Sequence, residues 1–317
     1  MSANWHPALD KESLQARARL FSAVREFFKS RKVMEVDTPV LSRFASCDPN
    51  LHSLQSSIAK QHVFLHTSPE FFMKRLLAAG SGDIYSIARV FRDDEQGKLH
   101  NPEFLLLEWY RVNFDLESMA RETVELLGQL LGLSLDQDFR LRTYSDVFKE
   151  HAGIDPLNAS RKEMEQITGE IGLDTTTLDR DGLLDAIASM KVFPQLGKNC
   201  LDVVTEYPAS QASLAEIDSA NDAIAKRFEV FLHGIELANG FRELQDADEQ
   251  ATRFEADNEK RRKAGKAVMP IDQFLIDALV EGLPACAGVA VGLDRVFMLA
   301  QGNSSVENAM PFPFKRC

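Results

Sequence analysis

Apolar positions recur at helical spacing over residues 11 to 31, where Leu14, Ala18, Phe21, Val24 and Phe28 share one face, so an amphipathic helix is predicted there. Val33 to Val36 then read as a short strand, stopped by Asp37-Thr38-Pro39. His62 to His66 alternates as a strand does. Thr67-Ser68-Pro69-Glu70 supplies the cap and first turn of a helix continuing through Phe72, Leu76 and Leu77. Residues 84 to 110 predict strand, polar loop, strand: the first ends at Phe91-Arg92 and the second runs from Phe104 to Tyr110. Helical spacing returns at 115 to 133 and, within 135 to 198, at Thr143 to His151, Arg161 to Ile171 and Asp181 to Met190. Leu201 to Glu206 reads as a strand, 227 to 243 as a hairpin turning at His233-Gly234, and Gln245 to Lys263 as a solvated helix. Ile271 to Glu281 predicts a helix closed by Gly282 and Pro284, and Gly288 to Ala300 a strand entering a helix. No repeat, low-complexity tract or clear linker divides the chain. One domain over residues 1–317 is expected, with 135–198 inserted beside the core sheet.

Composition removes several classes. No apolar run approaches the roughly 20 residues that span a bilayer. The start MSANWHPALDKESLQ lacks the basic and apolar parts of a secretory signal. Four cysteines (Cys47, Cys200, Cys286, Cys317) form no CxxC pair, which argues against a zinc site or disulfide framework and for a cytoplasmic location. A net charge of −12 argues against nucleic-acid binding through the general field. The one compact basic run, Lys260-Arg261-Arg262-Lys263, reads as a wet helix face. Walker, dinucleotide, HExxH and GxSxG motifs are missing, so any ATP would be bound without a P-loop.

Side chains alternate in direction along a strand, which puts Phe104, Leu106, Glu108 and Tyr110 on one face. An aromatic ring, a carboxylate and a phenol suit a stacked base and a held amine, with Arg92 close enough to grip a phosphate. A two-residue turn at His233-Gly234 pairs Glu236 with Phe231 and makes Glu229 its diagonal neighbour. Two such carboxylates suit Mg²⁺ shared with substrate phosphates, or are ordinary acids on a wet hairpin. Asn239, Phe241 and Glu243 alternate on one face. Glu236 falls on the other unless a bulge near Ala238-Asn239-Gly240 shifts the register. Arg295, after Gly292-Leu293-Asp294, opens a helix where phosphate is favoured, or else pairs with an acid. Glu70 is either a ligand or a first-turn carboxylate on the helix dipole.

The block FRDDEQGKLHNPEFLLLEWY resembles motif 2 of the class II aminoacyl-tRNA synthetases in its lysine type, FRxE…HNPEF…LEWY. SPEFFMKRLL, YPASQASLAEI, FEVFLHGIELANGF and GLDR extend the resemblance along nearly the whole chain. It implies an α+β fold, an antiparallel sheet flanked by helices, and a homodimer built on the helix, strand and Pro39 of motif 1. It also implies ATP and Mg²⁺. Arg92 would hold the α-phosphate and Arg295 the γ-phosphate side. His100 and Asn101 would contact the nucleotide, with Asp93, Asp94, Leu237 and Gly292 along it, and Phe104 would stack on adenine. Glu229 and Glu236 would bind the metal. Ser68, Pro69, Glu70, Glu108, Tyr110, Asn239, Phe241, Glu243 and Ala290 would line a lysine-type amino-acid pocket. The implied reaction is carboxylate attack on the α-phosphate, releasing pyrophosphate and leaving an aminoacyl-adenylate.

Three features are similar to the truncated lysyl-tRNA synthetase paralogues that attach (R)-β-lysine to elongation factor P. Motif 1 lies almost at the start, so no anticodon-binding domain is expected. The field is acidic, and Ala290 stands where lysyl-tRNA synthetases typically carry Gly. That resemblance implies elongation factor P as acceptor through a lysine ε-amine, rather than tRNA; a free-standing lysine-adenylating enzyme with a tRNA or small-amine acceptor and an inactive regulatory paralogue are the alternatives, and composition argues for no membrane. One departure is local: the family's FRNEE reads FRDDE, so Asp94 replaces a Glu and shortens a nucleotide contact.

Overall fold

The computed structural model describes residues 5–93, 96–133, 139–170, 172–173, 175–176 and 178–317. In chain order its helices and strands are α1 (Lys11–Ser30), β1 (Met34–Glu35), β2 (Leu41–Ser42), β3 (Gln55–Ile58), β4 (Gln61–Leu65), α2 (Glu70–Ala78), β5 (Ile84–Phe91), β6 (Glu103–Val112) and α3 (Leu116–Leu131). Then follow β7 (Phe139–Thr143), α4 (Tyr144–Ala152), α5 (Arg161–Glu170), α6 (Arg180–Ile187), β8 (Leu201–Pro208), β9 (Ile224–Leu232), β10 (Ile235–Arg242), α7 (Ala247–Lys263), α8 (Gln273–Gly282), β11 (Cys286–Gly292) and α9 (Leu293–Ala300). The chain forms two compact units, one of residues 1–114, 126–133 and 245–317, the other of 115–125 and 134–244.

In the first unit four strands run in the order β1-β5-β6-β11. Neighbours are antiparallel except β1, which is parallel to β5, a departure from the wholly antiparallel sheet expected. Helix α1 starts where Asp10 accepts the Ser13 N–H at 2.8 Å. It packs its apolar stripe on the sheet: Phe28 stacks on Tyr85 at 4.3 Å and meets Trp109 edge-on at 5.3 Å. Phe28 and Trp109 are fully buried, each a gain of roughly 1.5–3 kcal/mol over exposure. Because Tyr85 and Trp109 serve this face, their neighbours Ser86 and Glu108 are turned to the other. Strands β2, β4 and β3 make a small separate sheet.

In the second unit the order is β10-β9-β8-β7, antiparallel except for the β7·β8 pair, which is parallel. Strand β7 was not legible in the periodicity. Val147, Phe148, Leu183, Leu184 and Ile187 form one buried cluster with Val204, Tyr207 and Phe231 of β8 and β9. The β9–β10 hairpin turns at His233-Gly234, both with positive φ (52° and 73°), as a two-residue type I′ turn requires. Its tip is held by His233 N–H donating to the Gly197 carbonyl at 2.7 Å and Gly234 N–H to that of Leu196 at 2.8 Å. Gly197 is required: with φ +66°, a Cβ there would lie 2.4 Å from Leu232 Cα.

Candidate active site

In the first unit, β6 is flanked on both sides in register: Glu108 pairs with Ser86 of β5 and Ala290 of β11, and Tyr110 with Ile84 and Gly288. Phe104, Leu106, Glu108 and Tyr110 line one surface, as the alternation predicted, and Ala290 joins them because paired residues in antiparallel strands share a face. Glu108 is only 3% exposed. Its carboxylate accepts from Ser68 Oγ at 2.8 Å and from Tyr110 Oη at 2.6 Å, and Ser68 Oγ in turn accepts the Glu70 N–H at 2.9 Å. The Thr67-Ser68-Pro69 turn before α2 thereby orients a buried acid on the sheet. Glu70 faces Lys74 across one helical turn, Oε1 to Nζ 2.8 Å, and Lys74 is buried. Lys74 was missed in the sequence although its i+4 spacing from Glu70 was legible.

The phosphate-gripping candidates also lie in this unit. Arg92 follows β5, and its guanidinium lies over the Phe104 ring at 5.1 Å, a cation–π contact that covers one ring face. Arg295 sits in the first turn of α9, its Nε donating to the Leu99 carbonyl at 3.3 Å and an Nη 2.7 Å from His100 Nε2. Gly292 precedes that helix, and a Cβ there would touch Arg295 Cδ at 3.7 Å. His100 is therefore brought to Arg295. Asn101 serves the framework: its amide donates to the Glu103 carbonyl at 2.6 Å and accepts the Phe314 N–H at 2.9 Å. Asp94 and Glu95 lie outside the described residues; Asp93 is exposed, and its N–H donates to the His52 carbonyl at 2.7 Å.

The basic run at the end of α7 departs from the wet face predicted. Arg261 is 3% exposed and donates to the Asp48, Leu51 and Ala267 carbonyls at 2.9, 3.2 and 2.7 Å. It braces loop 48–51 next to His52, whereas Lys260, Arg262 and Lys263 are exposed.

In the second unit, Glu236 pairs with Phe231 as the turn predicted, and the expected register shift is present. It falls between Glu236 and Ala238, making Leu237 the extra residue, slightly earlier than the Ala238-Asn239-Gly240 stretch anticipated. Beyond it Asn239 pairs with Glu229 and Phe241 with Arg227, so Glu229, Glu236, Asn239 and Phe241 share a face. Glu243 follows β10, buried and bridged to Ala215. Leu237 is itself buried.

Glu229 is 5% exposed, accepts from Tyr207 Oη at 2.7 Å and is paired with the Arg227 guanidinium. Burial pushes its carboxyl up to about 7 and Glu236 adds to the rise, while Arg227 and the Tyr207 hydroxyl oppose it. Arg227 also lies over the Tyr207 ring at 4.5 Å and donates to the Gln211 carbonyl at 2.8 Å. Arg227 could have been found from its i−2 spacing; Tyr207, on another strand, could not. Among the described residues no group of three or more His, Cys, Asp or Glu could hold a metal ion. Two hard carboxylates on one face still fit Mg²⁺, which takes one or two and completes its shell with phosphate and water oxygens.

The sequence matches the family described as tRNA synthetases class II (D, K and N) over residues 8–316. It is 45% identical over 323 residues to a protein of Vibrio parahaemolyticus serotype O3:K6 named "Elongation factor P--(R)-beta-lysine ligase", covering 99% of both chains. Proteins of that name from Vibrio cholerae serotype O1 and Photorhabdus laumondii subsp. laumondii are 43% and 42% identical, over 99% and 98% of each chain.

Proposed function

This chain belongs to the class II tRNA synthetase family of the D, K and N group, and on that premise we propose that it is an ATP-dependent ligase. It adenylates (R)-β-lysine and transfers the acyl group to a lysine ε-amine of elongation factor P. The observation that carries this reading is the agreement between Glu108, a buried acid oriented by Ser68 and Tyr110, and relatives of the ligase name aligned end to end. A substrate with two ammonium groups needs buried carboxylates to receive it. In the first unit Glu108 and Glu70 are our candidates, with Ser68, Pro69, Tyr110 and Ala290 shaping the pocket; in the second unit Glu243, with Asn239 and Phe241, is a separate candidate.

In the first step the substrate carboxylate attacks the α-phosphorus of ATP. The bond to the bridging oxygen breaks and pyrophosphate leaves. Arg92 takes charge developing on the α-phosphate, Arg295 holds the departing end, and Phe104 stacks on adenine. Asp93, His100 and Gly292 border the nucleotide, and Asn101 holds the loop that carries His100. Glu229 and Glu236 would hold Mg²⁺, which when bound neutralises phosphate charge. In the second step the ε-amine attacks the acyl carbon, an amide forms and AMP leaves. No side-chain nucleophile is needed: the protein positions the reactants and stabilises charge.

The acidic field, net −12, supports a protein acceptor over tRNA. We read the two units as parts of one catalytic domain, since the family match runs through both. We read the protein as a homodimer, supported by the half-exposed Met34 of β1, and sedimentation at a single chain's mass would refute this. Among the described residues no helix is long and apolar enough to cross a membrane. Four free thiols support a cytoplasmic setting.

Purified elongation factor P, incubated with this protein, ATP-Mg²⁺ and (R)-β-lysine, should gain one β-lysyl unit in intact mass. The Arg92→Ala variant should be slower by about 10²–10³-fold, the cost of losing one charge-stabilising donor. No mass gain by the native protein would overturn the acceptor assignment, and undiminished activity of the variant would overturn the role of Arg92. Ala290 stands directly across from Glu108, and its methyl trims the pocket beside that acid. Ala290→Gly should relax selection toward α-lysine by about 1–3 kcal/mol, read as the ratio of kcat/KM values.

A further inference from the structure

We propose that Asp294 is a positioning residue of the nucleotide site: with Arg17 it fixes the strand carrying Phe104 against the helix that starts at Arg295. The inference rests on the nucleotide reading above. Asp294 lies in the first turn of α9 and is 3% exposed. Its Oδ1 accepts from the Arg17 guanidinium at 2.6 Å, and its Oδ2 accepts the backbone N–H of Leu105 at 2.7 Å.

The reason for the second bond is in the sheet. β11 pairs with β6 from Val112 as far as Leu106, opposite Gly292, and then turns into α9. Leu105 is the first residue of β6 beyond that pairing, and the Asp294 carboxylate stands where a longer strand would offer a carbonyl. Arg17, from α1, completes the junction. Its other Nη donates to the Ala309 carbonyl at 2.8 Å, and its guanidinium lies 5.5 Å from the Phe297 ring, one turn further along α9. Burial raises the Asp294 carboxyl, and Arg17 and the Leu105 N–H oppose that rise, so the ionised form depends on both partners.

The two ends of the Leu105–Asp294 bond are each one residue from a nucleotide group, Phe104 on one side and Arg295 on the other. Loosening the bond lets ring and guanidinium drift apart, and a misplacement of about 1 Å can cost up to roughly 10²-fold in rate. Arg17 and Asp294 touch no substrate in this scheme; they act through Phe104 and Arg295.

Asp294→Asn tests this. An amide has one acceptor oxygen where two are used, and its NH₂ must face either Arg17 or the Leu105 N–H. Calorimetric titration of the full-length protein with ATP should show affinity falling about tenfold or more, while KM for the amino acid changes less than about twofold and unfolding stays cooperative. Unchanged ATP affinity, or equal weakening of both substrates, would overturn the proposal. Native protein that binds no ATP would overturn the nucleotide reading and this role with it. Should Asp294→Asn fail to fold, Arg17→Lys carries the test: it keeps a cation on Asp294 but loses the fork to Ala309. ATP affinity should then fall by about three- to tenfold, and unchanged affinity would again refute the role.

Discussion

Glu70 in the first unit and Glu229 in the second are both assigned to ligands, and both carry a cation from their own element. Helix α2 brings Lys74 to Glu70 at i+4; strand β9 brings Arg227 to Glu229 at i−2. The order of burial is reversed. Lys74 and Glu70 side chains are 1% and 16% exposed, so the cation is the inner member. Arg227 and Glu229 are 17% and 7% exposed, so there the acid is inner. The inner charge has least access to water and depends most on its partner. An acid–cation pair thus presents its acid outward from the helix and its guanidinium outward from the strand. In the function proposed above, the helical pair would meet an ammonium group. The strand pair keeps a carboxylate whose ionisation is already opposed by burial.

The largest effect expected from this contrast is that of Arg227→Met, which strands Glu229 and should cost about 3–5 kcal/mol in denaturant unfolding, more than Glu229→Gln. In the first unit the order should reverse, Glu70→Gln costing more than Lys74→Met. Equal losses within either pair would break the comparison. Gly197→Ala is next: positive φ and the 2.4 Å approach to Leu232 Cα should destabilise the hairpin under Glu229 by about 2 kcal/mol. A loss near zero would show that the hairpin shifts freely.

The smallest effect is expected at Asp257, a more loosely paired acid on α7, with Lys260 Nζ 3.7 Å away. Burial pushes Asp257 up to about 6, Asp48 adding and Lys260 opposing. A carboxyl raised by folding disfavours its ionised form in the fold. Its effect on stability is therefore absent below the ordinary value of 3.8 and unfavourable above about 6. Asp257→Asn should raise Tm at pH 8 and leave it unchanged at pH 3.5. A variant no more stable at pH 8 would show that Lys260 offsets the burial.

Legibility followed sequence distance. The α1 stripe, the face of Glu108 and Tyr110 and the His233-Gly234 turn were readable because each depends on neighbours within about four residues. The need for a bulge was also readable, since Glu236 and Asn239 could share a face in no other way. Its location at Leu237 was not, because the choice of extra residue depends on how β10 seats against β9. The two-residue strand β1, parallel to β5, and β7, parallel to β8, ended differently from the antiparallel sheet expected, since pairing direction is set by the partner.

The sequence by itself determined the fold class through its resemblance to a known family, and the order of chemical groups and the acid–cation pairs spaced by one helical turn or one pleat through spacing, which is a local property. Only the tertiary structure decided that Tyr207 reaches Glu229 from 22 residues away, that Arg261 braces loop 48–51 and that Asp294 ends the β6 ladder through Leu105, 189 residues distant. Such contacts join groups whose separation in space depends on the whole intervening backbone, which no local pattern encodes.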